Sequence, residues 1–418
     1  MYKKIVLDNG LTVILADMPH MESVSVGIWI TAGGRYETKR LSGVSHFLEH
    51  MLFKGTKKRT CKQIKESIEG TGGSLNGFTG EECTCYLAKV LSGNIDMAAD
   101  ILGDMTRNAM MNPDDFNREK GVILEELKMY MDMPGHYVQE LLSELMWPGQ
   151  QLGMPLIGTF DTVTKLKLAD LVSYKDRYYA PQNVVVSAAG RIASLDFVKR
   201  FEGWPRRGAP QRDSFKNVSI RQAGPRINYH AKETEQTHLA MGFHGYGKFH
   251  PRRYDLAVLS IILGGNMSSR LFNEVREKRG LAYEIHSTSK YYYDTGAFII
   301  SAGIDNKKVG PAADVIIKEL RRIKKCGISK DEFSRAMEFY RGQLLMMFED
   351  TSGHMLWLGE KVLNGEDNFR LEQVLERISK VTPDSVRETA SKVFTPKKVN
   401  VAVIGPKGGK KEASIEKT

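Results

Sequence analysis

Apolar positions along the chain switch between a period of two and a period near 3.6, and the switches mark strands and helices. Residues 3–17 predict a hairpin: Lys4-Ile5-Val6-Leu7, a turn at Asp8-Asn9-Gly10, and the return Leu11-Thr12-Val13-Ile14-Leu15. Residues 23–31 alternate, with Val24, Val26, Ile28 and Ile30 set against smaller residues, and predict a strand. From Leu41 to Phe53 the period lengthens. Leu41, Val44, Leu48, Met51 and Leu52 recur at helical intervals with no proline between them. Thr60, with Gln63 three residues on, predicts a capping box opening a second helix that runs to about Gly70. Gly72-Gly73 ends it, and 74–79 and 84–90 read as paired strands. Further helices are expected over about 94–109, after Asn112 with Pro113 in first position, near 135–147 and near 166–178. Pro181 opens a strand over 183–190.

Residues 203–226 change character: Gly203, Pro205, Gly208, Pro210, Gly224 and Pro225 sit among polar residues, as in a linker. Beyond it the pattern repeats. Gly242 in the strand 238–245 falls over Gly27, Pro396 over Pro181 and Gly405 over Gly190, each at an offset of 215. One offset over so long a span predicts two copies of one α+β domain, each a mainly antiparallel sheet packed with helices. The expected organisation is a first domain over 1–205, a linker over 206–226, a second domain over 227–406 and a flexible tail over 407–418.

Composition narrows the class. At 418 residues the chain can bury two sizeable cores, and 41% hydrophobic with 26% charged residues is ordinary for a soluble protein. The net charge of +10 is modest for this length, and no Lys/Arg stripe carries interleaved aromatics, so nucleic-acid binding is not expected. No apolar run is long enough for a membrane span. The N-terminus runs straight into a strand without a signal-peptide pattern. Cys61, Cys83, Cys85 and Cys326 are too few and too irregular for a disulfide framework. Reduced thiols are the expectation, with a cytoplasmic setting or a mature form already trimmed.

The chemistry concentrates in His46-Phe47-Leu48-Glu49-His50, inside the helical run 41–53. Histidines four apart lie on one helix face, and Glu49, three from His46, shares it. Two imidazoles one turn apart can hold zinc, and a carboxylate beside them can take a proton from water at the metal. The order His-x-x-Glu-His inverts the common zinc-protease motif. Taken alone, five residues also fit a histidine pair packing on an amphipathic helix. A third ligand is available downstream, where the helix after Asn112 carries Glu119, Glu125 and Glu126. Glu119 and Glu126, seven apart, share a face. The second repeat has no such motif, and His238, His244 and His250, six apart, match no common metal site.

Several separate stretches now carry a resemblance. His46 to Thr56, Leu75-Asn76-Gly77-Phe78-Thr79, Arg118 to Glu126, Gly264 to Phe272 and Val275 to Tyr283 together resemble the pitrilysin/insulinase superfamily of zinc metallopeptidases. The two-domain branch, mitochondrial processing peptidase and its bacterial relatives, is the most similar, and the likeness spans nearly the whole chain. The resemblance implies one zinc per chain, with His46 and His50 as ligands. It selects Glu126 over Glu125 as the third, since the family's glutamate lies about 76 residues past the second histidine. It implies Glu49 as the general base and Glu119 as a supporting glutamate of the site. Arg276 and Tyr283 match residues that touch substrate near the scissile bond, with Tyr283 also placed to stabilise the oxyanion. Asn76 and Phe78 match a strand beside which extended substrate lies. Asn266 departs from the family, where a third glycine is common. The implied activity is endopeptidase cleavage of peptides, unfolded chains or targeting segments inside a dimeric clamshell, a homodimer by default and a heterodimer as the alternative. The competing reading within the family is a catalytically silent scaffold subunit, whose members lack part of the zinc motif.

Overall fold

The computed structural model describes residues 2–205, 215–366 and 369–407. Residues 206–214 of the expected linker and 408–418 of the expected tail lie outside it. The chain divides into two compact units. The first comprises 1–128, 154–216 and 344–369, and the second 129–153, 217–343 and 370–418.

The first unit is built on a six-stranded sheet of β1 (Tyr2–Val6), β2 (Thr12–Asp17), β3 (Ser23–Ile30), β4 (Ser74–Thr79), β5 (Thr84–Leu91) and β6 (Val184–Gly190). Its order is β1-β2-β6-β3-β5-β4, antiparallel throughout except where β2 runs parallel to β6. The second unit carries β7 (Arg226–Ala231), β8 (Gln236–Gly245), β9 (Ala282–Tyr291), β10 (Gly296–Asp305) and β11 (Asn400–Gly405), in the order β7-β11-β8-β10-β9. That order repeats β2-β6-β3-β5-β4, down to the single parallel pair, here β7 with β11. The repeat seen as an offset of glycines and prolines is thus a repeat of topology, and the fold is α+β with two tandem copies.

The helices follow their local signals. Helix α1 (Val44–Leu52) buries Val44, Phe47, Leu48, Met51 and Leu52. Helix α2 (Cys61–Glu69) starts on the Thr60–Gln63 capping box. Helices α3 (Ile95–Asn108), α4 (Pro113–Asp132) and α5 (Pro134–Met146) follow.

Strand β3 departs from its expected alternation. It is buried on both faces, not one. The face of Ser25, Gly27 and Trp29 receives the helix Thr351–Leu363, which comes from the second half of the sequence. Ser25 Oγ meets Thr351 Oγ1 at 2.9 Å, and a β-carbon on Gly27 would stand 2.5 Å from Met355 Sδ. The second unit mirrors this. Helix α5, from the first half, covers β8 and β11, and a β-carbon on Gly242 would stand 2.7 Å from Met146 Sδ. Gly27 and Gly242, paired at offset 215, are therefore where each sheet admits a helix from the other half of the chain. A contiguous division of the sequence does not express this exchange.

The described end of the linker is tied down at each side. Arg35 lies 3.7 Å from the Phe215 ring centroid and donates to the Lys216 carbonyl. Ser219 exchanges two hydrogen bonds with the Gln150 amide, and Val218 packs on the second unit's core.

Candidate metal centre

Helix α1 opens on Gly43, whose φ of +92° suits glycine and whose missing side chain leaves the helix without a capping group of its own. Glu37 supplies the cap from six residues upstream. Its carboxylate accepts from the Gly43 and Ser45 amides, each at 2.8 Å. Burial pushes the Glu37 carboxyl up to about 7, opposed by the bonds from Ser45 and Gly43. Ser45 Oγ donates to Tyr174 Oη at 2.9 Å, which pins the first turn from the other side. The turn so fixed carries His46.

The 3.6-residue repeat then puts His46, Glu49 and His50 on one face. Glu126, on α4, comes to meet them. His46 Nε2 lies 3.9 Å from Glu126 Oε1, and His50 Nε2 lies 3.6 Å from Glu126 Oε2. One ligand atom from each of the three residues falls within 4.8 Å of the others. Among the described residues this is the one group of three or more such side chains arranged to hold a metal ion. The spacings are too long for hydrogen bonds. They are near the roughly 3.3–3.5 Å expected between ligands that share one tetrahedral zinc. Glu126 Oε2 is buried and has no hydrogen-bond partner, a state that normally calls for an ion or water. Donor set, spacing and orphaned oxygen all fit a zinc ion held by His46, His50 and Glu126.

The three side chains differ in protonation. Burial, with the neighbouring His50, drives His46 down to about 3, so it stands as a neutral imidazole ready to ligate. For His50 burial pulls down, but Glu119, Glu126 and Glu49 outweigh it and the net shift is upward. Glu126 is raised by burial and by Glu119, against the pull of His50.

Glu119 stands behind the group. Its Oε1 lies 2.9 Å from His50 Nδ1, and its Oε2 pairs with Lys54. That contact holds His50 with Nε2 toward Glu126 and is an outer support, not a ligand. Glu119 is buried, yet its carboxyl is lowered because the bonds to His50 and Lys54 outweigh the burial.

Glu49 lies on the same face and is raised, chiefly by burial. Thr79 Oγ1 donates to Glu49 Oε2 at 2.6 Å. Thr79 belongs to β4, the edge strand, whose outward residues are Asn76 and Phe78. Asn76 Oδ1 accepts from the Gly77 amide, and the Phe78 ring stands edge-on to Trp29 at 5.7 Å.

Arg276 and Tyr283 sit in the second unit and meet each other. Arg276, in the short π-helix Phe272–Glu277, has its guanidinium 5.5 Å from the Tyr283 ring centroid, and Tyr283, on β9, is 74% exposed. His238, His244 and His250 do not gather. His244 stands edge-on to Trp147, while His250 stacks on Tyr246. Glu37, Lys54, Thr79 and Tyr174 support the site without having been marked in the sequence. Their partners lie in other elements, and only Lys54 and Thr79 sat inside motifs that drew notice.

A helix-borne pair of imidazoles closed by a carboxylate from a second helix, on a duplicated α+β scaffold, defines a candidate metallohydrolase centre. Comparison with known proteins agrees. Residues 12–160 match the model of the insulinase family of peptidases, M16, and residues 165–340 match the M16 inactive domain. The uncharacterized zinc protease YmxG of Bacillus subtilis is 36% identical over 414 residues, covering 98% of this chain and 99% of its own. An uncharacterized zinc protease of Streptomyces coelicolor is 35% identical over 412 residues, covering 97% and 89%. In fold, the chain is similar to a protease from Helicobacter pylori (TM-score 0.90, 21% identity, 97% and 99% covered). It is likewise similar to a peptidase M16 inactive domain from Pseudomonas fluorescens (TM-score 0.89, 18% identity, 98% and 98% covered). The chain belongs to the M16 peptidase family.

Proposed function

We propose that the chain is a zinc-dependent endopeptidase of the inverted His-x-x-Glu-His type, binding one zinc through His46, His50 and Glu126. The observation that carries this is the convergence of those three side chains around an oxygen left without a hydrogen-bond partner. Zinc, when bound there, would supply Lewis acidity toward a water and the scissile carbonyl. Glu49 takes the proton as that water adds to the carbonyl carbon. It then delivers the proton to the amide nitrogen as the C–N bond breaks. Its raised pKa suits both steps, since burial leaves the carboxylate a better base than a free one. Glu119 keeps His50 in the right tautomer. Asn76 and Phe78 mark the edge at which an extended peptide adds as a further strand. Arg276 and Tyr283 act on the substrate near the cleaved bond, supplied across a homodimer by the partner subunit; a heterodimer is the alternative.

The substrates are peptides, unfolded chains or targeting segments, admitted to a clamshell that folded proteins do not enter. The four cysteines, all free, suit a reducing compartment such as the cytoplasm. A silent scaffold is disfavoured by the complete donor set and the intact Glu49. Glu49→Gln is expected to keep its zinc while kcat on a peptide substrate falls by roughly 10²–10⁴-fold. His50→Ala is expected to lose the metal by elemental analysis. Cleavage by Glu49→Gln at the wild-type rate would remove the assignment.

A further inference from the structure

The strand that offers its edge to substrate also grips the base. Along β4 the inward residues are Leu75, Gly77 and Thr79. Thr79 Oγ1 donates to Glu49 Oε2 at 2.6 Å, and the Thr79 backbone amide bonds to the same carboxylate. Two residues back, the backbone of Gly77 passes close to the other oxygen. A β-carbon there would lie 3.3 Å from Glu49 Oε1 and 3.1 Å from the Phe53 ring. Oε2 is thus committed to a hydroxyl, while Oε1 receives no side-chain donor among the described residues. On its other side β4 has no strand partner among the described residues.

Resting on the endopeptidase reading, we propose that Thr79 is a positioning residue. It fixes the Glu49 carboxylate so that Oε1 takes the proton. Because it lies in the edge strand, it also couples addition of an extended peptide at that edge to alignment of the base. A Glu side chain left free samples several rotamers, and few of them place an oxygen on the reacting water. One short bond from the strand removes most of that freedom. A peptide paired along β4 stiffens the strand and therefore the grip. Binding energy remote from the cleaved bond is then expressed in kcat, not only in KM. The substrate class this favours is an extended peptide long enough to pair along β4, over a short one that reaches only the metal.

The test compares wild type, Thr79→Val, which keeps the shape and removes the hydroxyl, and Thr79→Ser, which restores it. Each zinc-loaded protein is assayed on a short and a long version of one peptide. Zinc content is read by elemental analysis, and affinity of the metal-free protein for the long peptide by calorimetry. Thr79→Val is expected to keep its zinc and to bind the long peptide within about twofold of wild type. Its kcat should fall by about 10–100-fold, and the kcat advantage of the long peptide should shrink. Thr79→Ser should regain most of both. The proposal is overturned if Thr79→Val keeps the wild-type kcat, if it loses zinc or peptide affinity, or if Thr79→Ser is equally impaired. Glu49→Gln assayed in parallel separates the two readings. If it cleaves like wild type, the base assignment itself fails. If it is inactive while Thr79→Val is normal, only the positioning role falls.

Discussion

Glu37 is a buried carboxylate whose neighbours are amides and hydroxyls, and it caps the one helix that bears both histidines. Its raised pKa has a definite sign in stability. A carboxyl that titrates near 4.5 unfolded and about 7 folded stabilises the fold fully below pH 4.5, and that contribution is lost as pH rises through 7. The shift corresponds to about 3 kcal/mol. Urea midpoints of wild type and Glu37→Gln from pH 5 to 8 should show the wild-type advantage shrinking as pH rises to 7, then levelling; a constant difference would exclude this linkage. Glu119 belongs at the same scale. Removing its charge in Glu119→Gln loosens His50 and is expected to weaken zinc affinity by about 10–100-fold in chelator competition, with the fold intact. Unchanged affinity would leave Glu119 a mere charge partner of Lys54. The ligands themselves were legible because helix periodicity alone aligns His46, Glu49 and His50. Choosing Glu126 over Glu125 needed the family spacing, and the α4 geometry then shows Glu126 facing the rings while Glu125 pairs with Lys128. Glu37, Lys54 and Thr79 act through contacts that no local spacing encodes.

Among the elements, local signals located most strands and helices of the first 190 residues within a few residues, while the strands Arg226–Ala231, Ala282–Tyr291 and Gly296–Asp305 and the helices between Val309 and Val393 went unread. The Thr60–Gln63 box, the turn at Asn9-Gly10 and the proline at the head of α4 each act through backbone chemistry inside a few residues. What also escaped was which sheet each helix covers. Helix α5 and the helix Thr351–Leu363 have apolar faces that fit either copy of a duplicated sheet, so sequence pattern cannot tell their destinations apart. The signature of the exchange lay in residues too small to read as core: Gly27, Gly242 and Gly359. Gly359 is the tightest. A β-carbon there would come within 2.0 Å of Trp29 Nε1. The indole cannot easily yield, because its N–H is held by Ser187 Oγ at 2.8 Å and its ring packs in the core. Gly359→Ala should therefore cost about 3 kcal/mol of stability, at the upper end for overpacking, read from denaturant unfolding. A variant as stable as wild type would show that this helix is not seated on β3 as described.

For the whole molecule, only one of the two copies keeps the metal-binding side chains among the described residues, and the exposed Arg276–Tyr283 pair lies in the other unit. If the pair serves the partner subunit's zinc, two inactive variants should complement. Mixing Glu49→Gln with a variant carrying both Arg276→Ala and Tyr283→Phe should restore a fraction of wild-type activity, up to about a quarter if subunits exchange randomly and each site draws on both chains. No recovery from subunits shown to exchange would mean that each chain supplies its own complete site. All of this depends on a metal ion seated between two imidazoles and the carboxylate of α4. The most direct measurement is an anomalous-scattering map of zinc-loaded crystals at the zinc edge. One strong peak per chain is expected within bonding distance of His46, His50 and Glu126. A map with no peak there, or with Glu126 turned away from a zinc held elsewhere, would contradict this assignment.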